Sequence, residues 1–261
     1  MSSYPLQGKR ILNTRAMAQI FETESMIHAR QAISIAFPCL EMQVMPINIR
    51  DGLIKLDTFS DILFTSANGV SAVANTLQQP LSERFQSHRI AAVGEHTALA
   101  LQHYGITAHI IPDNASQQGL FEAYQQHGLP NSLLFFRAEE GNGLLSDSLQ
   151  EKAVSVCTIH AYRSVCPTTD SKPIQHMLEQ NQIDAALLGS PKVAKHYLQR
   201  IGELKLANRP ILIAISPQVA HAADKLGLNV QLIAKQTNFA SMLDALSNHY
   251  LQRSTSNDVT T

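Results

Sequence analysis

Two stretches decide how this chain is read: IAAVGEHTALALQHYGITAHII at 90–111 and LIAISPQVAHAADKLGLNVQLI at 212–233. At an offset of 122, Ala98 meets Ala220 and Gly105 meets Gly227. Each stretch passes from a short apolar β-rich segment through a helical pattern to a glycine and a second apolar segment. The glycine falls just past the helix and before the strand, where a left-handed C-cap is needed. The same offset recurs along the chain. LNTRA (12–16) matches LFFRA (134–138), so Arg15 corresponds to Arg137. Glu122-Ala123 meets Asp244-Ala245, and His127 meets His249. DILFTSANGV (61–70) resembles DAALLGSPKV (184–193) at an offset of 123. One spacing that links four places in order predicts an internal duplication, with copies at about 9–130 and 131–252. A period this long excludes a solenoid and implies two folded halves.

Within each copy the apolar runs are mostly unbroken, at 10–13, 33–37, 61–65, 90–93 and 107–111. They recur at 132–136, 154–160, 184–188, 211–215 and 229–233. Unbroken runs suit strands covered on both faces. Helical patterns lie between them, at about 17–30, 69–79, 96–104 and 117–127, and again at 144–151, 192–200, 218–226 and 238–252. Strand–helix alternation predicts an α/β fold of two doubly wound parallel-sheet lobes with a cleft between them. The polar tail RSTSNDVTT reads as disordered.

Composition narrows the function classes. Of 261 residues, 44% are hydrophobic, enough to bury a full core. Twenty basic and twenty-one acidic side chains leave a net charge of −1. A strongly basic nucleic-acid binder is therefore not expected. Cys39, Cys157 and Cys166 form no CxxC pair, which suits reduced thiols in a cytoplasmic chain rather than a disulfide framework or zinc site. The N-terminal MSSYPLQGKR has no apolar signal region, and no run is long enough to span a membrane. The eleven histidines include no HExxH motif, and His96 and His103 share a helix face without an acidic third ligand; no metal is expected. Gly141-Asn142-Gly143-Leu144-Leu145-Ser146 resembles the start of a dinucleotide fingerprint. It lacks the third glycine and the later acidic residue, where Tyr162 stands instead. Neither a GxxxxGK[ST] loop nor a GxSxG nucleophile elbow is present.

Parallel α/β sheets hold ligands beyond the carboxyl ends of their strands. The loops expected there are Thr65-Ser66-Ala67-Asn68-Gly69, Gly94-Glu95-His96-Thr97, Gly189-Ser190-Pro191 and Ser216-Pro217-Gln218. Helix N-termini preceded by such hydroxyls bind anions without Lys or Arg, although Ser, Thr and Asn are also ordinary helix caps. Four loops at matching positions point to a shared ligand rich in carboxylates or phosphates. Arg15 and Arg137, each ending a first strand, are candidates to clamp acidic groups. Tyr162 lies in CTIHAYRSVCP (157–167), a strand that leads toward a hinge.

In this ordered set the chain resembles the uroporphyrinogen-III synthase family over about 240 residues. The marks are Thr14-Arg15, Phe64-Thr65-Ser66-Ala67-Asn68-Gly69-Val70, and Val93-Gly94-Glu95-His96-Thr97-Ala98. They continue with Pro112 leading to Ser116 and Leu120, Arg137, Tyr162-Arg163, Ser190-Pro191 and Ile215-Ser216-Pro217. The resemblance implies two α/β domains with exchanged N-terminal segments, joined by a two-stranded connection. Domain one would be about 1–37 plus 172–250 and domain two about 49–160, with linkers at 38–48 and 161–171 and a tail at 251–261. It also implies a cofactor-independent cyclising lyase. The substrate would be hydroxymethylbilane, a linear tetrapyrrole with eight carboxylates, which loses water and closes with ring D inverted to uroporphyrinogen III. Tyr162 would help the hydroxyl leave. Thr65, Ser66, Asn68, Thr97, Ser190 and Ser216 would bind carboxylates, assisted by Arg15 and Arg137. The enzyme would be a monomer in the cytoplasm that uses no metal, nucleic acid or membrane and receives substrate from hydroxymethylbilane synthase. The chain departs from the family pattern at Asn142, Gly189 and Val219. A non-catalytic two-lobe binding protein for a small anion is the alternative. A glycosyltransferase would need a nucleotide-sugar site that the sequence does not display.

Overall fold

The computed structural model describes residues 4–257, with the backbone alone for 254–257. In chain order the strands are β1 (Arg10–Asn13), β2 (Ile33–Ala36), β3 (Glu41–Val44), β4 (Asp61–Phe64), β5 (Arg89–Ala92), β6 (Ser132–Ala138), β7 (Ser155–Val165), β8 (Ala185–Leu188), β9 (Ile211–Ala214) and β10 (Val230–Ile233). The chain divides into two compact units. The first is Met1–Glu41 with Val165–Thr261, and the second is Met42–Ser164.

The first unit holds a sheet in the order β10-β9-β8-β1-β2, with every pair parallel. The second holds β3-β7-β6-β4-β5, in which β7–β6, β6–β4 and β4–β5 are parallel. Ile110 adds a single parallel bridge to Ala91 of β5. The two orders coincide once the offset is applied: β10, β9, β8, β1 and β2 match the Ile110 bridge, β5, β4, β6 and β7. Each sheet therefore takes strands from both copies. Strands β1 and β2 of the first copy close onto β8–β10 of the second, while β6 and β7 of the second close onto β4 and β5 of the first.

Small irregularities repeat as well. The Ile90 amide donates to the His109 ring Nδ1 at 2.9 Å, and the Leu212 amide donates to the Gln231 side-chain oxygen at 2.7 Å. In both units a side chain of the outermost segment replaces a ladder carbonyl. Gly105 and Gly227 both have positive φ, at 76° and 81°. Gln31 and Ala153, also 122 apart, adopt φ of 57° and 62°, a region β-carbons disfavour.

The first unit buries one apolar core around its sheet. In the second, Phe64, Phe136 and Tyr162 pack on one face of the sheet, while Phe135, Tyr124 and Leu145 pack on the other. Helix Pro191–Ile201 anchors both chain segments that lead out of the first unit. The Arg200 guanidinium donates to Pro38 O, to Thr169 O at 3.0 Å and to Thr169 Oγ1 at 2.8 Å, and lies 4.1 Å from the Phe37 ring centroid. His196 Nδ1 lies 2.8 Å from Cys39 O. A carbonyl only accepts, so this nitrogen carries the proton. Cys39 is buried, and desolvation pushes its thiol up to about 12.

The ranges 38–48 and 161–171 contain β3, the first turn of helix Pro46–Ile54 and the end of β7. The polar tail is corrected in part. Helix Phe239–Asn257 runs through 251–257, because Leu251, Gln252 and Arg253 are good helix formers that extend a packed helix. Residues 258–261 lie outside the described residues. No helix among the described residues is long and apolar enough to cross a membrane.

Two substitutions should move stability in opposite directions. Gly227→Ala places a β-carbon in left-handed backbone and 2.8 Å from Leu204 Cδ2, costing about 1–2 kcal/mol or more. Ala153→Gly relieves the same backbone and should stabilise by roughly 0.5–1 kcal/mol. Urea midpoints of the two variants check both signs.

Candidate active site

In parallel sheets the strands point their carboxyl ends the same way, so the loops after β4, β5 and β6 share one edge of the second unit. Strand β4 ends at Phe64, and Thr65 follows it half-buried. Ser66 then takes extended backbone and caps helix Ala67–Thr76, its hydroxyl accepting from Gly69 N at 3.0 Å. The same hydroxyl lies 2.9 Å from the phenolic oxygen of Tyr162. Tyr162 comes from β7, where a register shift between Arg137 and Ala138 sets it opposite Ala138. It is 9% exposed. Asn68, in the first turn of the helix, is exposed. The first-turn amides of Ala67 and Asn68 precede the first intrahelical bonds and face outward at the positive end of the helix dipole.

Helix Glu95–His103 begins beside β5, with Gly94 as an extended N-cap that offers no side chain. Thr97 lies in its first turn but is only 3% exposed, and Glu95 and His96 occupy the exposed positions there. Arg137 stands next to Phe136 and therefore on the opposite face of the sheet from Tyr162 and Ser66. It is 5% exposed and 5.5 Å from the Phe135 ring centroid. Its Nε donates to Ala138 O at 3.3 Å and its Nη1 to Asn142 O. Burial lowers its pKa from the ordinary arginine value.

In the first unit, Arg15, Ser190 and Ser216 follow β1, β8 and β9 and share that sheet's carboxyl edge. Ser190 caps helix Pro191–Ile201 through Val193 N at 3.1 Å, and Ser216 caps helix Pro217–Asp224 through Val219 N at 3.4 Å. Arg15 is already partnered. It pairs with Glu22 at 2.8 Å, donates to Thr23 at 3.2 Å and stacks over Phe239 at 4.5 Å.

The structure thus joins Ser66 and Tyr162 directly and gathers Thr65 and Asn68 beside them. It sets Thr97 inward and Arg137 on the other face. Two features have roles that the sequence reading did not assign. Ser116 caps helix Gln117–His127 through Gly119 N at 2.9 Å, which its place after Pro112-Asp113 and ahead of the helical pattern could have revealed. The segment 139–143 covers Arg137; in the sequence it stood out only as an incomplete dinucleotide fingerprint and as a departure from the family pattern at Asn142.

The fold and this edge define a class: a duplicated α/β protein whose helix N-termini, hydroxyls and buried arginine suit an anionic ligand. The family model described as Uroporphyrinogen-III synthase HemD matches residues 22–244. A uroporphyrinogen-III synthase of Synechococcus elongatus is 30% identical over 209 residues, covering 76% of this chain and 77% of that protein. One of Chlorobaculum parvum is 24% identical over 92% of this chain and 98% of its own length. The chain belongs to the uroporphyrinogen-III synthase family. Its fold is that of solved members. The Helicobacter pylori uroporphyrinogen-III synthetase structure matches with a TM-score of 0.61 at 19% identity, over 93% of this chain and 100% of that one. A Thermus thermophilus uroporphyrinogen III synthase structure, a triple mutant, gives 0.56 at 17% identity, over 94% and 100%.

The cap assignments predict a local cost. Ser66→Ala and Ser190→Ala each remove a side-chain acceptor from a helix N-terminus and should lose about 1 kcal/mol. Ser66→Ala should lose somewhat more, because it also breaks the bond to Tyr162. Denaturant titration of the two variants checks the order.

Proposed function

We propose that this chain catalyses the uroporphyrinogen-III synthase reaction as a cofactor-independent cyclising lyase. Hydroxymethylbilane would lose its terminal hydroxyl as water, and the resulting azafulvene would be attacked by ring D at its substituted carbon. Rearrangement of the spiro species would then give the macrocycle with ring D inverted. The observation that carries the reading is the Ser66–Tyr162 pair at the N-terminus of helix Ala67–Thr76, 2.9 Å apart.

The geometry allows a defined division of labour. Gly69 N–H occupies one acceptor site of the Ser66 hydroxyl. Ser66 can then donate its own proton to Tyr162 Oη, which leaves the phenolic proton for the departing hydroxyl. The near-buried ring limits water around the cation that forms. Substrate carboxylates would lie against first-turn amides and the side chains of Thr65, Ser66, Asn68, Ser190 and Ser216, with Thr97 seating the first turn of helix Glu95–His103 from its inner face and Arg15 and Arg137 assisting. Amide donors hold acids without a lysine that could add to the azafulvene. The chain would act as a monomer in the cytoplasm and take substrate from the deaminase that makes it. No feature of the relatives favours the non-catalytic binding alternative.

Freshly made hydroxymethylbilane, incubated with the protein and oxidised for isomer analysis, should give type III in large excess over type I. Type I alone would overturn the reading. Tyr162→Phe should lower kcat by roughly 10²-fold or more while its circular dichroism spectrum stays native. Wild-type kcat in that variant would remove Tyr162 from the mechanism.

A further inference from the structure

Arg137 carries a charge that no acidic side chain among the described residues neutralises. Its acceptors are two neutral carbonyls, Ala138 O and Asn142 O. Its Nη2 is buried and has no hydrogen-bond partner among the described residues. Arg15, the matching residue of the other copy, is neutralised by Glu22. Two arginines at one position of a duplication thus stand in opposite electrostatic states. A guanidinium buried against carbonyls alone is costly, because desolvation is not returned by a counter-charge.

The cover over Arg137 is a thin strap, Glu139-Glu140-Gly141-Asn142-Gly143, every residue of it exposed. One end is held to β7, with Glu139 N donating to Tyr162 O at 2.9 Å and Ser164 N to the Glu140 carboxylate at 2.8 Å. The other end enters helix Leu144–Gln150, whose Leu145 N donates to Gln117 Oε1 at 3.0 Å. Between the two ends, Gly141 lies flat on the guanidinium. A β-carbon there would collide with Nη2, Cζ and Nε. No apolar side chain of the strap is buried beneath it, and Leu144 at its end is 63% exposed.

We propose that Arg137 is a latent carboxylate site under this strap. An incoming substrate carboxylate displaces Asn142 O, takes up the unpartnered Nη2 and forms a two-pronged pair with the guanidinium. The strap lifts between its two tethers as this happens. Arg137 is then the leading arginine in substrate recognition, and Arg15, already paired with Glu22, plays the lesser part. The inference rests on the polycarboxylate substrate proposed above.

A structural strut and a latent site differ in sign. Arg137→Gln removes an uncompensated buried charge, so its thermal midpoint should equal or exceed that of the wild type. Its KM for hydroxymethylbilane should rise about tenfold, with kcat within twofold. Uroporphyrinogen III, kept anaerobic, should raise the midpoint of the wild type and raise that of Arg137→Gln much less. Gly141→Ala, in which the strap cannot seat, should keep or lower KM. An unchanged KM with a lowered midpoint in Arg137→Gln would make the residue a strut and sink the proposal. A raised KM in Gly141→Ala would overturn the lifting strap. If the wild type itself yields only type I product, the fault lies in the substrate reading. Type III product with an indifferent Arg137→Gln faults this site alone.

Discussion

Each sheet depends on a seam between strands that lie far apart in the sequence. In the first unit Ile11 and Leu12 of β1 pair with Ala185 and Ala186 of β8. In the second, β4 pairs with β6 from Asp61↔Leu133 to Phe64↔Phe136. The apolar residues along both seams are buried almost completely. Polar groups then lock the amino ends. Asp184 accepts from Lys9 Nζ at 2.9 Å and from Arg10 N at 2.8 Å. At the corresponding place of the second unit, Ser60 and Ser132 exchange backbone and hydroxyl bonds. Because each seam joins one copy to the other, neither copy alone carries a closed sheet. Such non-local parallel pairing is slow to form, and it makes the whole chain one folding problem despite its two units.

That dependence explains what the sequence could reveal. Apolar runs such as 61–65 and 184–188 are unbroken because both faces of the central strands are covered, and these were the most legible elements. The outer segments were less so. The run at 107–111 reads as a strand, yet only Ile110 bridges, and the His109 ring takes the Ile90 amide that a ladder carbonyl would otherwise receive. Helix Pro46–Ile54 was hidden behind Pro46, which read as linker punctuation. Proline at the first turn of a helix is instead a start signal. Arg200 and His196 left no mark beyond sitting four apart on one helix, since their partners are backbone carbonyls, which no residue pattern identifies.

The site was legible in part for the same reason. Caps are written locally, so Ser66, Ser190 and Ser216 could be read from a hydroxyl standing before a helical pattern. The meeting of Ser66 and Tyr162 is set by the β4–β6–β7 register and by the shift at Arg137/Ala138, which residue types alone do not encode. Thr97 lies on the buried face of helix Glu95–His103, 3% exposed, an orientation that a hydroxyl in a loop pattern does not reveal.

The duplication also shows how two equivalent edges came to differ. In the first unit both capped helices begin with proline, Pro191 and Pro217, so each lacks its first N–H donor. In the second unit Ala67 and Glu95 keep theirs. The first unit's arginine is neutralised by Glu22, and the second unit's is covered only by a strap of exposed residues. Tyr162 is available to the second unit alone. Donors, uncompensated charge and the phenol of Tyr162 therefore accumulate on the second unit. The other keeps the same loops as milder anion-facing ends. The asymmetry is thus a matter of chemistry rather than of backbone, since the strand orders of the two units still coincide.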